Sequence, residues 1–188
     1  MKNFETKELI LVALFAALTA IGGFLSIPMP FGVPFTLQPF FVIFAANLLG
    51  GKLAFFSQLT YLAIGLVGIP IFTQGGGPSY VLQPTFGYLV GFAVGAYIIG
   101  KIVEKREKTF WNLLIANSIG LIAFYFFGVI HLYLVMNLYM GVDYGIKTAL
   151  WGGFLIFLPW DLIKGLLAAI ISKEMMGRIE DQLPITKS

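Results

Sequence analysis

A succession of apolar stretches, each near the length of one membrane crossing and nearly free of charge, limits what this chain can become. A helix crosses the hydrocarbon core with about 20 residues. By that measure spans fall at about 8–27, 37–50, 52–69, 86–103, 111–138 and 159–176. The chain is 59% hydrophobic and 11% charged, with mean hydropathy +0.90, which no soluble domain of 188 residues matches. The expected class is an all-α membrane protein with six transmembrane helices, forming a single domain over residues 1–188. The absence of cysteine excludes disulfides, thiolate metal sites and a cysteine nucleophile. Lys2 and Lys7 before the apolar run Leu9 to Ile27 imitate a signal peptide. The run is longer than the ~7–15 residues of such a signal and no small-x-small cleavage site follows, so a retained first span is expected.

The second span is short, and Gly50-Gly51-Lys52 after it is a tight turn, so spans 2 and 3 form a hairpin. The apolar stretch 145–158 ends at Pro159, a residue well placed as the first of a helix and poorly placed inside one. The stretch is expected to be a short helix dipping in from outside, with one long kinked helix as the competing geometry. With both termini cytoplasmic, Lys2, Lys7, Lys52, Lys101, Lys105, Arg106, Lys108, Lys173, Arg178 and Lys187 lie inside and only Lys147 outside. That asymmetry is the positive-inside pattern, and it requires an even number of spans. Net charge is +3, but the cations are dispersed over loop ends, which argues for topology signals rather than nucleic-acid binding. Segment 101–108 could touch anionic lipid or a partner, but an ordinary topology anchor is the favoured reading.

Two outer loops carry no charge at all. Residues 28–38 and 68–80 are rich in Pro and Gly and hold several aromatics. Irregular backbone near membrane depth persists only when buried in protein or lining a cavity. A few polar groups in an apolar loop suit the rim of a small-molecule pocket; the plainer alternative is that these loops cap helix ends.

On the same side, Pro159 is followed by Trp160 and then by Asp161 and Lys164, charged residues at i, i+3 and so on one helix face. A charge inside a membrane segment costs roughly 2.5–3.5 kcal/mol on insertion scales and usually marks a pathway or ligand site. Asp161 is expected near the free N–H groups at a helix start, where it can accept hydrogen bonds from a ligand. Lys164 can pair with a carboxylate. A self-satisfied ion pair pinning the last helix is the competing account. Around the Gly-rich loop, Gln74, Tyr80, Gln83, Thr85 and Tyr88 can hydrogen-bond or stack on a ligand. Gly75-Gly76-Gly77 lacks the lysine and following helix of a phosphate loop. His131 has no histidine or acidic neighbour at helical spacing, so a hydrogen bond between helices is expected for it, as for Asn112, Asn117 and Asn137. No catalytic motif or carboxylate cluster is present in the sequence, so binding is more plausible than catalysis.

Small residues form packing stripes: Ala13, Ala16, Ala17 and Ala20 on span 1, Gly87, Gly91 and Gly95 on span 4, and Gly165, Ala168, Ala169 and Ser172 on span 6. Such faces let helix backbones approach closely in lipid.

Several stretches together resemble the BioY family, the biotin-specific substrate-binding (S) components of energy-coupling-factor transporters. They are Phe35-Thr36-Leu37-Gln38, Gly68-Ile69-Pro70-Ile71-Phe72 with Gly75-Gly76-Gly77-Pro78, Pro84-Thr85-Phe86-Gly87-Tyr88 with Gly91-Phe92, and Pro159-Trp160-Asp161-Leu162-Ile163-Lys164. The resemblance covers nearly the whole chain. It implies a six-helix protein of a prokaryotic cell membrane that captures biotin from outside. Such a protein docks on a transmembrane coupling protein and two ABC-type ATPases, which consume the ATP, and hydrolyses nothing and holds no cofactor itself. It also implies a docking role for Ala13 and Ala17, which match the Ala-x-x-x-Ala spacing on the first helix. Biotin would engage Asp161 through its ureido donors, and Lys164 through its carboxylate or its ureido carbonyl. Phe72, Tyr80, Tyr88 and Trp160 would supply the apolar wall, with Gln38 and Thr85 near it. Some relatives have an arginine near the Pro84–Tyr88 block; this chain has no arginine between Lys52 and Lys101, leaving Lys164, or neutral donors such as Gln74 and loop N–H groups, for the carboxylate. Another vitamin, thiamine or riboflavin, an intramembrane enzyme, and a ligand-free scaffold are the alternatives.

Overall fold

The computed structural model describes residues 4–29 and 32–179. Lys2 and Lys187 of the cation count, and Pro30 and Phe31 of the first uncharged loop, lie outside the described residues. Helix α1 (Thr6–Phe24) leads into a two-residue strand β1 (Ser26–Ile27), which pairs antiparallel with β2 (Phe35–Thr36). Helix α2 (Gln38–Leu66) follows, then the loop with a 3₁₀ turn at Pro78–Leu82, α3 (Phe86–Lys105) and α4 (Phe110–Leu134), which runs on as a π-helical turn to Tyr139. A short α5 (Ile146–Leu150), a π-turn (Trp151–Leu155) and α6 (Leu158–Ile179) complete the chain. Among the described residues, five helical segments are long and apolar enough to cross a bilayer.

Helix α2 is interrupted at Gly50, whose φ of 80° and ψ of 174° are accessible at low cost only to glycine. The interruption is a reversal. Gln38 and Tyr61 would lie roughly 35 Å apart along one continuous helix, yet the Gln38 Nε2 amide donates to the Tyr61 hydroxyl at 2.8 Å. The expected hairpin of spans 2 and 3 is therefore present as two arms, 38–49 and 51–66. The turn is fixed from outside: the Gly51 N–H donates to Glu104 Oε1 at 2.8 Å, and Lys101 holds the other oxygen of that carboxylate. Gly100 of α3 lies so close to Gly50 and Gly51 that a side chain there would overlap their backbone.

The stretch before α6 differs from expectation. It is helical but not a separate dipping helix: backbone angles stay helical from Ile146 through the π-turn, and the whole forms one apolar segment, Ile146–Arg178. The competing geometry, one long interrupted helix, is the one observed. The physical reason lies in how Pro159 is accommodated. Its missing N–H and bulky ring are tolerated because the preceding turn widens, with the Ile156 N–H reaching back to the Trp151 carbonyl.

The small residues sort by helix. Gly87, Gly91 and Gly95 lie against α4, with the Phe124 backbone 2.8 Å from where a Gly91 side chain would begin. Gly165 accepts a hydrogen bond from Asn117, Ser172 accepts one from Asn47, and Ala168 and Ala169 are fully buried. On α1 the alanine face straddles the edge of the bundle: Ala16 and Ala20 are buried, whereas Ala13 and Ala17 are exposed beside Ile10, Leu14 and Ile21. Of the polar groups expected to join helices, only Asn117 does so. His131 meets the Gln83 carbonyl of a loop at 3.2 Å, Asn112 binds the Glu107 carbonyl just before its own helix, and Asn137 binds Tyr133 and Tyr144 locally.

Candidate ligand site

Asp161 and Lys164 point inward from the first turns of α6 and are 6% and 5% exposed, so water does not satisfy them. The protein does. Lys164 Nζ donates to Asp161 Oδ1 at 2.6 Å and to the Thr36 carbonyl at 2.7 Å, and lies 3.9 Å from the centre of the Phe35 ring. The Tyr125 hydroxyl of α4 donates to the other carboxylate oxygen, Asp161 Oδ2, at 2.6 Å. The pair thus joins three parts of the fold: α6, α4 and the β1–β2 hairpin. Charged partners bring short, strong hydrogen bonds, which work against the desolvation cost of burying both ions.

The expected free N-terminus at Asp161 is absent. Because the chain is already helical before α6, the Asp161 N–H donates to the Phe157 carbonyl at 2.9 Å. The carboxylate is held by Lys164 and Tyr125 rather than by open backbone donors. Nearby, the Phe157 N–H bonds the Phe154 carbonyl. The Gly153 carbonyl takes the Tyr88 hydroxyl at 2.6 Å instead.

These groups line a cavity of about 50 Å³, whose walls include Val33, Pro34 and Thr36 from the first uncharged loop, Thr73 from the second, and Thr85 at the start of α3. Gln38, Tyr88, Tyr125, Asp161 and Lys164 supply further polar groups, and Phe92, Phe124 and Phe157 the apolar floor. Both uncharged loops therefore face one chamber. Small-molecule sites usually measure roughly 300–1,000 Å³, so admission of an organic ligand requires these walls to yield.

The other expected residues take different places. Phe72 is 1% exposed and wedged on Gly65 between Tyr61 and Tyr80, behind the wall rather than in it. The Tyr80 hydroxyl lies 3.0 Å from both Thr73 and Thr85, bracing two residues that do line the chamber. Gln74 is exposed at the loop tip, and Trp160 is 56% exposed with its ring edge against Phe35. Two participants were not singled out from the sequence: Tyr125 and the Thr36 carbonyl. Tyr125 carries a signal of a sort, a lone hydroxyl in the middle of the strongly apolar run 121–130; a backbone carbonyl carries none. Among the described residues, no three His, Asp or Glu side chains cluster as a metal site.

Comparison with known proteins agrees with this architecture. A probable biotin transporter BioY of Lysinibacillus sphaericus is 44% identical over 176 residues, 93% of this chain and 89% of that protein. The biotin transporter BioY of Thermotoga maritima is 40% identical over 167 residues, 88% of this chain and 94% of that protein. The crystal structure of the S-component for biotin from an ECF-type ABC transporter superposes with a TM-score of 0.80 at 29% identity, covering 93% of this chain and 95% of that one. The BioY family profile matches residues 1–181, and the chain belongs to the BioY family.

Proposed function

We infer that this chain is the biotin-capturing S component of an ATP-driven energy-coupling-factor importer in a prokaryotic cell membrane. The observation that carries the reading is the enclosed Asp161–Lys164 pair on the wall of a chamber formed by two uncharged loops. The relatives named as biotin transporters, and the solved biotin S-component, support biotin over thiamine or riboflavin. Biotin offers two ureido N–H donors, a ureido carbonyl, an apolar bicycle and a terminal carboxylate. Asp161 accepts from the ureido N–H groups, and Lys164 donates to the ureido carbonyl or the carboxylate. Gln38, Thr85 and Tyr88 line the chamber within this set, whereas Gln74 is exposed at the loop tip, Trp160 packs on Phe35, and Phe72 and Tyr80 stand behind the wall.

Six spans with both termini cytoplasmic fit this role. The reversal at Gly50 supports an even count. Lys52 lies over Phe4 beside the Gly51–Lys101 contact, and Lys173 and Arg178 border a groove with Phe110, so these cations gather at one end. Exposed Ala13 and Ala17 support docking of a transmembrane coupling protein on α1, with two ABC-type ATPases behind it hydrolysing the ATP. Catalysis and cofactors have no part in the chain's own work.

Radiolabelled biotin binding to the purified chain in detergent, with thiamine and riboflavin as competitors, is the test. Saturable biotin binding that neither competitor displaces is expected. Tight binding of either competitor in place of biotin overturns the reading.

A further inference from the structure

At the cation-rich end of the molecule, a groove of about 340 Å³ runs between α3 and α4. Its mouth carries Lys105 and Arg106, the last residue of α3 and the one that caps it, together with Lys101. Its depth is apolar apart from one phenol, with Tyr97, Ile98 and Ile102 from α3 and Ile119 from α4. Tyr97 lies two turns inside Lys105, so the groove descends from the water interface into the hydrocarbon layer. Trp111, 68% exposed, is the second residue of α4 and so an exposed aromatic at a helix end, as membrane proteins use at the interface.

Of the three charges at the mouth, only that of Lys101 is balanced by a described residue. Glu104 is committed to Lys101 at 2.6 Å and to the Gly51 N–H. Among the described residues, neither Lys105 nor Arg106 has an anionic partner, and both are exposed. Two uncompensated cations above an apolar slot match one chemistry in a bilayer: a phosphodiester with an acyl chain attached. The guanidinium fork suits phosphate oxygens, and the ammonium adds a point charge. Basic recesses between transmembrane helices at the cytoplasmic side hold anionic head groups in this manner.

We propose that the α3–α4 groove is a binding site for an anionic phospholipid, with the phosphate between Lys105 and Arg106 and an acyl chain along Tyr97, Ile102 and Ile119. The site is remote from the ligand chamber and shares no residue with it.

The full chain in mild detergent is titrated with phosphatidylglycerol or phosphatidylethanolamine, and bound lipid is counted by native mass spectrometry. Phosphatidylglycerol is retained in preference. The double variant Lys105→Gln/Arg106→Gln loses about 30-fold in that retention, from roughly 1 kcal/mol per cation at an anionic surface and 1.4 kcal/mol per tenfold. Its radiolabelled biotin binding is unchanged. If the double variant does not fold, each single variant provides the test with about a fivefold loss. Equal retention of the two lipids by the wild type, or undiminished retention by the variants, overturns the proposal. So does displacement by water-soluble glycerol phosphate at equal concentration, which marks a free-phosphate site. Variants that keep the lipid but lose co-purification with a coupling protein mark the patch as a protein-docking surface, and that result overturns the proposal as well.

Discussion

The ammonium of Lys164 donates to the backbone carbonyl of Thr36 at 2.7 Å across 128 positions of sequence, while holding Asp161 at 2.6 Å. The charge pair is therefore also the tie between the last helix and the hairpin over the chamber. A ligand group that competes for Lys164 competes with that tie. Lys164→Met should release the 26–36 hairpin, raising its amide exchange and protease sensitivity before the rest of the protein unfolds. Unchanged exchange over 26–36 would show that the hairpin is held by something else.

Breaking a buried pair by removing one partner costs about 3–5 kcal/mol, because the other charge is stranded, whereas replacing both with apolar residues is often nearly neutral. Lys164→Met alone should therefore lower the unfolding midpoint more than Asp161→Leu/Lys164→Met together. Biotin binding should vanish in both. A double variant that is less stable than the single one, or that still binds biotin, contradicts the assigned roles.

Tyr125 gives the same carboxylate its second donor. Hydrogen bonds to charged groups contribute about 1.5–3 kcal/mol. Tyr125→Phe keeps the ring contacts with Tyr88 and Phe154 and removes only the hydroxyl. A loss of biotin affinity together with a lower melting temperature is expected from paired binding and unfolding measurements, because Asp161 Oδ2 stays buried without its donor. An unchanged affinity would mean that Lys164 alone orients Asp161.

Much of this was legible in the primary structure because lipid leaves few choices. Span lengths and the Gly50-Gly51 turn follow from bilayer thickness and the positive φ that Gly50 adopts. The charge pair stands out because an intramembrane ion is costly. What was hidden depends on tertiary contact. Pro159 signals a break, but only the widened turn at Trp151–Leu155 lets one helix continue through it. Phe72 and Tyr80 look like pocket aromatics until Gly65 is seen to leave room for Phe72 behind the wall. The four alanines of α1 occupy a narrow arc, and which edge of it faces the bundle is decided by α2.

The Gly50 reversal is held by close backbone contact with Gly100 as well as by Glu104. Gly100→Ala would force α3 away from the turn, and overpacking of this kind costs about 1–3 kcal/mol. A lower thermal midpoint is expected, with biotin affinity falling less than for Tyr125→Phe, because the site lies at the other end of the arms. A neutral substitution would mean that the contact relaxes without strain.

Exposed Ala13 and Ala17 are separable from every group discussed above, since neither touches the chamber. Small side chains let a partner helix approach closely in lipid. Ala17→Leu should therefore leave the isolated protein as stable as before, with full biotin binding, because the added methyl groups point away from the bundle. Co-purification with a coupling protein and its ATPases should fail, and with it ATP-driven biotin uptake by vesicles. Ala16→Leu serves as the contrast: it enlarges a side chain that is 4% exposed and should destabilise the isolated chain itself. If Ala17→Leu preserves uptake, the docking face lies elsewhere on the bundle, and the outward alanines are only part of the lipid-facing surface.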